Sequence, residues 1–382
     1  MKIDPYNNKE RYLAWQQSTT KGIPNISSQN SEIILHYLED MERGLNVAIG
    51  SPKGGRSYHR LNSLKERMIF FARQFAERHG TIKLTEITED QMLNFFFDMR
   101  KGIVKKQDGG TYKSVDTYAR IFRAFWHWHQ KTSKKQGIEI SDITTDLDTS
   151  EEKPDWVYLT EKQVKTLAES VKFDHKVLIM FLFDSGIRAP TELINVKVSD
   201  LHNNCKELNI RQEVSKTFGR RIKLLICSEL LKEYIENNAL RPDDTLFDIS
   251  PPVFNRFLKR AGLKLFGDKP SPAGQNYSEL TMYDFRHCSC CYWLPRYKSE
   301  SALKYRFGWK KSEKIHYYSE LLGMKDTISE EDLLIDTTKI EIEQRLERSE
   351  KEKAIMQDRI KTMELQMVNI MELVKQLEMA HK

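Results

Sequence analysis

The chain has 382 residues, 39% hydrophobic and 30% charged, with a net charge of +6 from 61 basic and 55 acidic side chains. That apolar fraction excludes a wholly disordered polypeptide, and the length accommodates two or three domains with ordinary cores. The longest strictly apolar run, Val177 to Phe183, is far short of the roughly 18 residues a bilayer span needs, and the first residues lack a secretory apolar stretch, so a cytoplasmic protein with no membrane partner is expected.

In chain order, Ile33–Val47 and Leu61–His79 carry apolar residues at helical spacing. Between them, Gly50-Ser51-Pro52-Lys53-Gly54-Gly55-Arg56-Ser57 looks like a phosphate-binding loop at a glance. It has Arg56 where the phosphate-cradling Lys belongs and no strand ahead of it, so it reads as a basic turn. Thr85–Met99 is a third helix, with Thr88 as its N-cap, and Gly109-Gly110 marks a turn. Ser114 then caps a helix running through Phe122, Phe125 and Trp126 to His129.

Between Arg100 and Gly137 there are ten Lys or Arg against two Asp, interleaved with aromatic residues. The aromatic positions fall at core spacing. The cations, Lys101, Lys105, Lys106, Lys113, Arg120 and Arg123 among them, suit a phosphate backbone. His127 and His129 are two apart on a helix, on opposite flanks, where they do not share one metal ion. Asp146–Pro154, acidic and ending in Pro, reads as a linker.

Beyond it, Thr160–Val171, Lys176–Ser185, Ser228–Asn237 and Pro252–Leu265 read as helices. Glu207–Val214 and Arg221–Cys227 read as strands around the hairpin signature Lys216-Thr217-Phe218-Gly219. Cys288, Cys290 and Cys291 lack a zinc spacing and read as helix packing, with a redox-sensitive thiol as the alternative. Five cysteines without a disulfide framework fit a reducing compartment. From Glu330 to the end there is no Pro, Gly or aromatic residue. A heptad stripe places Leu346, Lys353, Ile360, Met367 and Val374 at one position, and Ile342, Ser349, Met356, Met363, Ile370 and Leu377 at the other. A self-associating coiled-coil tail is expected. This tail has 13 acidic and 9 basic residues, so the excess of positive charge sits on the first 329 residues.

Four pieces of the middle region fall in a telling order. They are Asp184-Ser185-Gly186-Ile187-Arg188 with Thr191-Glu192-Leu193; Ser215-Lys216-Thr217; Met282-Tyr283-Asp284-Phe285-Arg286-His287; and Phe307-Gly308-Trp309 ahead of Tyr317-Tyr318. In this order and spacing the chain resembles the tyrosine recombinase (phage integrase) family, particularly archaeal integrases, over roughly Tyr158 to Asp326. The resemblance implies a mainly α fold with a small antiparallel sheet. Its parts would be a helical core-binding (SAM-like) domain over 1–149, a tyrosine recombinase catalytic domain over 150–329 and the coiled-coil tail over 330–382.

It also implies a site-specific DNA strand transferase acting on double-stranded DNA as a homo-oligomer, a tetramer on paired sites, with no metal or cofactor. Tyr318 would attack the scissile phosphorus, Arg188 and Arg286 would clamp the phosphate, Lys216 would protonate the leaving oxygen and Trp309 would donate a hydrogen bond. Tyr283 stands where the family most often has His. With a reference pKa near ~10 a phenol is a poor base at neutral pH, so either Tyr283 hydrogen-bonds the phosphate or His287 contributes instead. This departure keeps open the alternative of a catalytically impaired DNA-binding protein on the same scaffold.

Overall fold

The computed structural model describes residues 3–45, 54–80, 82–151, 155–297 and 299–322, together with Ser349, Lys353, Met356, Gln357, Ile360, Met363 and Met367. Two compact units divide the chain, residues 1–314 and 315–382. The described residues are mainly helical with one small antiparallel sheet, and among them no helix is long and apolar enough to cross a membrane.

The first unit begins with five helices, α1 (Asn8–Ser18), α2 (Ser28–Arg43), α3 (Tyr58–His79), α4 (Glu89–Arg100) and α5 (Val115–Lys135). Thr88 caps α4 as expected. Its hydroxyl accepts from Gln91 N (3.3 Å) while Gln91 Oε1 accepts from Thr88 N (3.0 Å), satisfying two helix-end donors reciprocally. Helix α2 starts and ends earlier than the apolar spacing suggests, because Ser27 caps it and Gly44 stops it in the left-handed region at φ 88°. Helix α1 has no sequence signal of this kind, since it buries only Asn8 and Tyr12.

These helices close around one apolar core running from Tyr12 to Leu147. Its centre is aromatic. Phe71, Phe75, Phe95, Phe122 and Phe125 are fully buried, with edge-on and tilted rings such as Phe71–Phe122 at 5.3 Å and Phe75–Phe95 at 4.9 Å. The first half of the basic turn at Gly50–Ser57, residues 50–53, lies outside the described residues.

The acidic segment that follows is docked along the helices. Arg100 Nη2 donates to Asp148 O (3.1 Å), Arg120 Nη1 to Glu151 Oε1 (2.6 Å), and Arg123 Nη2 to Leu147 O (2.6 Å) and Thr144 O (2.9 Å). At the other end of the chain's first stretch, Ile3 and Asn195 exchange two hydrogen bonds, Ile3 N to Asn195 Oδ1 (2.7 Å) and Asn195 Nδ2 to Ile3 O (2.9 Å).

The remaining elements are α6 (Glu161–Glu169), α7 (Phe173–Ser185), strands β1 (Leu201–His202), β2 (Glu207–Ile210) and β3 (Arg220–Lys223), then α8 (Ser228–Asn237), α9 (Pro251–Phe266), α10 (Met282–Trp293), α11 (Glu300–Phe307) and α12 (Glu313–Leu321). Helix α7 is buried on every side from Val177 to Ser185, which is why it reads as an apolar run and not as a stripe. The strands pair in the order β1-β2-β3, antiparallel, with Leu208 opposite Ile222 and Ile210 opposite Arg220. They are shorter than the sequence suggests, because the chain leaves β2 at Arg211 in a turn closed by Val214 N to Arg211 O (3.2 Å).

In the second unit, six of the eleven heptad positions, Ser349, Lys353, Met356, Ile360, Met363 and Met367, are described, all helical and exposed, and the four apolar ones are each more than half exposed. The other five lie outside the described residues.

Candidate active site

The site is built where α7 ends, the β2–β3 connection turns, and α11 stops. Helix α7 ends at Gly186, with φ 58°, and a Cβ there would lie 2.4 Å from Phe307 Cε1 and 2.8 Å from Ser289 Oγ. Only glycine fits this approach, and it delivers Arg188 to the turn that follows. The Ala189–Pro190 peptide within that turn is cis. Glu192 N donates back to Arg188 O (2.8 Å), bringing the Glu192 carboxylate beneath the Arg188 guanidinium.

Glu192 is fully buried and held by two arginines. Arg188 Nη1 donates to Oε1 (2.7 Å). Arg220, on β3 and 2% exposed, donates through Nη2 to Oε2 (2.9 Å) and through Nη1 to Oε1 (3.2 Å). Burial by itself would raise the carboxyl's pKa. The hydrogen bonds and charge of Arg220, with the charge of Arg188, outweigh it and bring Glu192 down to about 2 from its ordinary 4.5.

The C-terminal turn of α11 carries the other half of the arrangement. Three successive carbonyls each accept from a different arginine. Arg306 O takes Arg220 Nε (2.9 Å), Phe307 O takes Arg286 Nη2, and Gly308 O takes Arg188 Nη2 (2.8 Å). A helix C-terminus presents unpaired carbonyls and the negative end of the helix dipole, so it suits cations. Arg286, 3% exposed on α10, also donates through Nη1 to Gly186 O, and its guanidinium lies 5.3 Å from the Phe307 ring and 5.9 Å from the Trp309 ring. Burial, and then the neighbouring Arg188, bring Arg286 down to about 10, which leaves it protonated at neutral pH.

Lys216 is exposed in the β2–β3 connection. Its neighbours anchor that connection to the same cluster, Ser215 Oγ donating to Glu192 Oε1 (3.3 Å) and Thr217 Oγ1 to Gly308 O (2.9 Å). Trp309 stacks on Phe307 at 5.0 Å. Tyr283 opens α10, 46% exposed, with its ring 5.1 Å from His287, whose own ring lies 4.7 Å from Trp156. The structure therefore brings Arg188, Arg286, Trp309 and the Lys216 connection together within one unit. Tyr318 lies on α12 in the 315–382 unit, 3% exposed, its ring 5.3 Å from that of Tyr317.

Arg188 uses one N–H of each Nη, leaving Nε and the other two without partners among the described residues. Three guanidiniums against one carboxylate leave an excess of positive charge with N–H donors to spare, which is what a phosphate diester needs. Arg220 was not singled out by the sequence reading. Its signal was available in the strand alternation, since Arg220 and Ile222 face inward while Arg221 and Lys223 face out.

The predicted DNA-facing cations divide in two. Lys101, Lys105, Lys106 and Lys113 are exposed around a tight hairpin, closed by the Lys105–Thr111 bridge and by Lys106 N to Gly110 O (2.8 Å). Arg120 and Arg123 instead hold the 144–151 segment. The cysteine cluster is buried, and burial pushes Cys288 and Cys290 up and Cys291 up to about 12. These thiols stay protonated and pack, against the redox-sensitive alternative.

The state of Glu192 carries a prediction. Its folded pKa is depressed, so its stabilisation, on the order of 3 kcal/mol, is present above pH ~4.5 and lost as pH falls toward ~2. Urea denaturation of wild type and Glu192→Gln should show a stability gap at pH 7 that closes across this window. A gap that stays constant from pH 7 to 2.5 would count against the ion-pair assignment.

Residues 157–323 match the model described as the phage integrase family. No curated protein matches the chain. Among solved structures, the Tn1549 transposon integrase (residues 82–397) in complex with circular intermediate DNA is 15% identical, with 82% of this chain and 100% of that chain covered and a TM-score of 0.54. A lambda integrase dimer bound to a COC' core site is 17% identical, covering 78% and 79%, with a TM-score of 0.54. A lambda integrase tetramer bound to a Holliday junction is 15% identical, covering 83% of each chain, with a TM-score of 0.51. At these identities the likeness is one of fold.

Proposed function

From the premise that this chain carries a tyrosine recombinase domain, of the phage integrase family, we propose a site-specific DNA recombinase that cuts and rejoins double-stranded DNA through a 3′-phosphotyrosyl intermediate, with no metal or ATP. Tyr318 Oη gives up its proton to solvent as it bonds to the scissile phosphorus. The bond to the 5′-oxygen breaks, and Lys216 gives that oxygen a proton, which the amine regains from solvent. Attack by an incoming 5′-hydroxyl reverses these steps and releases the tyrosine, so the bond energy is kept throughout. Arg188 and Arg286 hold the non-bridging oxygens and meet the charge that builds in the transition state, and Trp309 donates its indole N–H. Tyr283 supplies a hydroxyl to the phosphate where relatives most often have His. The observation that carries this reading is the convergence of Arg188, Arg220 and Arg286 on the carbonyls of residues 306–308, directly ahead of Trp309.

The reading assigns residues 1–149 to core DNA binding, 150–329 to catalysis and 330–382 to the tail. Lys101, Lys105, Lys106 and Lys113 contact the backbone from their hairpin. Arg120 and Arg123 join them when the 144–151 segment yields its hold. A DNA substrate and five free thiols support a cytoplasmic site of action. The lambda integrase structures are a dimer and a tetramer on DNA. For this chain the reading is likewise a homo-oligomer, a tetramer on paired sites, and the exposed Met356, Ile360, Met363 and Met367 support a self-associating tail. Cutting the chain before Glu330 should lower the mass seen in analytical ultracentrifugation while DNA cleavage persists. Identical masses would remove the tail from assembly.

The deciding experiment uses a duplex nicked close to the scissile phosphate, which lets the cleaved fragment diffuse away and traps the intermediate. In EDTA and without ATP, a protein–DNA adduct that survives denaturing gel electrophoresis is expected. Cleavage that EDTA abolishes would overturn the proposal, because two-metal chemistry would then be at work.

A further inference from the structure

We propose that Arg220 is a positioning residue that keeps the positive charge of Arg188 uncompensated and available to phosphate, by sharing the Glu192 carboxylate. This rests on the recombinase reading and adds a residue to its site. Glu192 lies against Arg188 and is fully buried, away from bulk solvent. Left with Arg188 as its single charged partner, such a carboxylate would balance the guanidinium charge and draw its N–H groups inward. Arg220 meets both carboxylate oxygens, at 2.9 and 3.2 Å, so Glu192 is shared and the Arg188–Glu192–Arg220 set keeps a net positive charge. The third Arg220 nitrogen, Nε, is fixed on Arg306 O (2.9 Å), one residue before the carbonyl that fixes Arg286 and two before the one that fixes Arg188. Arg220 thus ties the charge balance of the clamp to the turn that carries Trp309. Its Nε, Nη1 and Nη2 are all engaged, by Arg306 O, Glu192 and Ser215 Oγ, so its part is to hold the clamp and not to touch the phosphate.

A purely structural Arg220 and a charge-balancing one differ in how they respond to the loss of Glu192. We compare adduct formation on the nicked duplex by wild type, R188A, R220K, R220M and R220M/E192Q, with folding checked by circular dichroism. R220M should lose about 100-fold in rate, because Glu192 then balances the Arg188 charge and one preorganised charge is lost at the phosphate. R220K keeps the charge and should stay within about tenfold of wild type. Adding E192Q to R220M removes the unshared negative charge, leaves an amide oxygen for Arg188, and should recover about tenfold or more of the loss.

A double variant no faster than R220M, or an R220K as slow as R220M, would overturn the proposal. Should R220M not fold, R220K and the double variant carry the test, and a double variant as slow as R188A would overturn it. If wild type forms no adduct, the recombinase reading fails separately. The same variants are then read by duplex affinity, where R220M should bind more weakly than wild type and E192Q should restore it. Equal affinities for all variants would overturn the positioning role.

Discussion

A Tyr318→Phe protein should bind duplex DNA as wild type does and form no covalent adduct. The change removes one oxygen, the only atom of the side chain able to attack phosphorus, so the expected loss in adduct yield is at least about 10⁴-fold, limited by detection. Tyr318 is 3% exposed, and losing a buried hydroxyl costs stability on the order of 1 kcal/mol, too little to unfold a domain. Tyr317→Phe is the control, since Tyr317 is adjacent on α12 and should leave the adduct unchanged. Mass spectrometry of the wild-type adduct should find the nucleotide on Tyr318. Attachment at Tyr317 would move the nucleophile by one residue and with it the assumed face of α12.

An Arg286→Lys protein should fold and bind DNA, yet form the adduct about 10²–10³-fold more slowly. The Lys variant is the informative one. Arg286→Ala would leave the buried carbonyls of Gly186 and Phe307 without donors, and its loss of activity would mix with a loss of stability. Lysine keeps the charge but has no planar fork. It cannot hold two carbonyls 121 positions apart in sequence, residues 186 and 307, and still offer aligned donors to a phosphate. Arg286 sits between the end of α7 and the end of α11, so its fork also sets the distance between the turn carrying Arg188 and the turn carrying Trp309. Rates close to wild type in Arg286→Lys would mean that charge by itself suffices at this position.

The amino-acid sequence determined the helices wherever local chemistry decides. The cap at Thr88, the apolar run Val177–Phe183 of α7 and the turn at Gly109-Gly110 were all legible, because a cap, a buried run or a positive φ depends on residues within a few positions. The order Arg188, Lys216, Arg286, Trp309, Tyr318 was legible for the same reason, each motif being local. Helix α1 was not, since it contributes little more than Tyr12 to the core.

Only the tertiary structure decided which of these charges meet. Arg188 reaches a carbonyl 120 residues away, and Arg220 reaches one 86 residues away as well as a carboxylate 28 residues away. Periodicity carries no record of such pairs, because side-chain patterning reports which face is buried and not what lies opposite it. The same limit explains the basic stretch from Arg100 to Gly137, where ten cations look alike in sequence. In the fold, Lys105 and Lys106 stay exposed on a hairpin while Arg120 and Arg123 are taken up by the backbone and carboxylate of residues 144–151. Sequence set the inventory of cations, and the packing of α7, β3, α10 and α11 set which of them keep N–H donors without partners among the described residues.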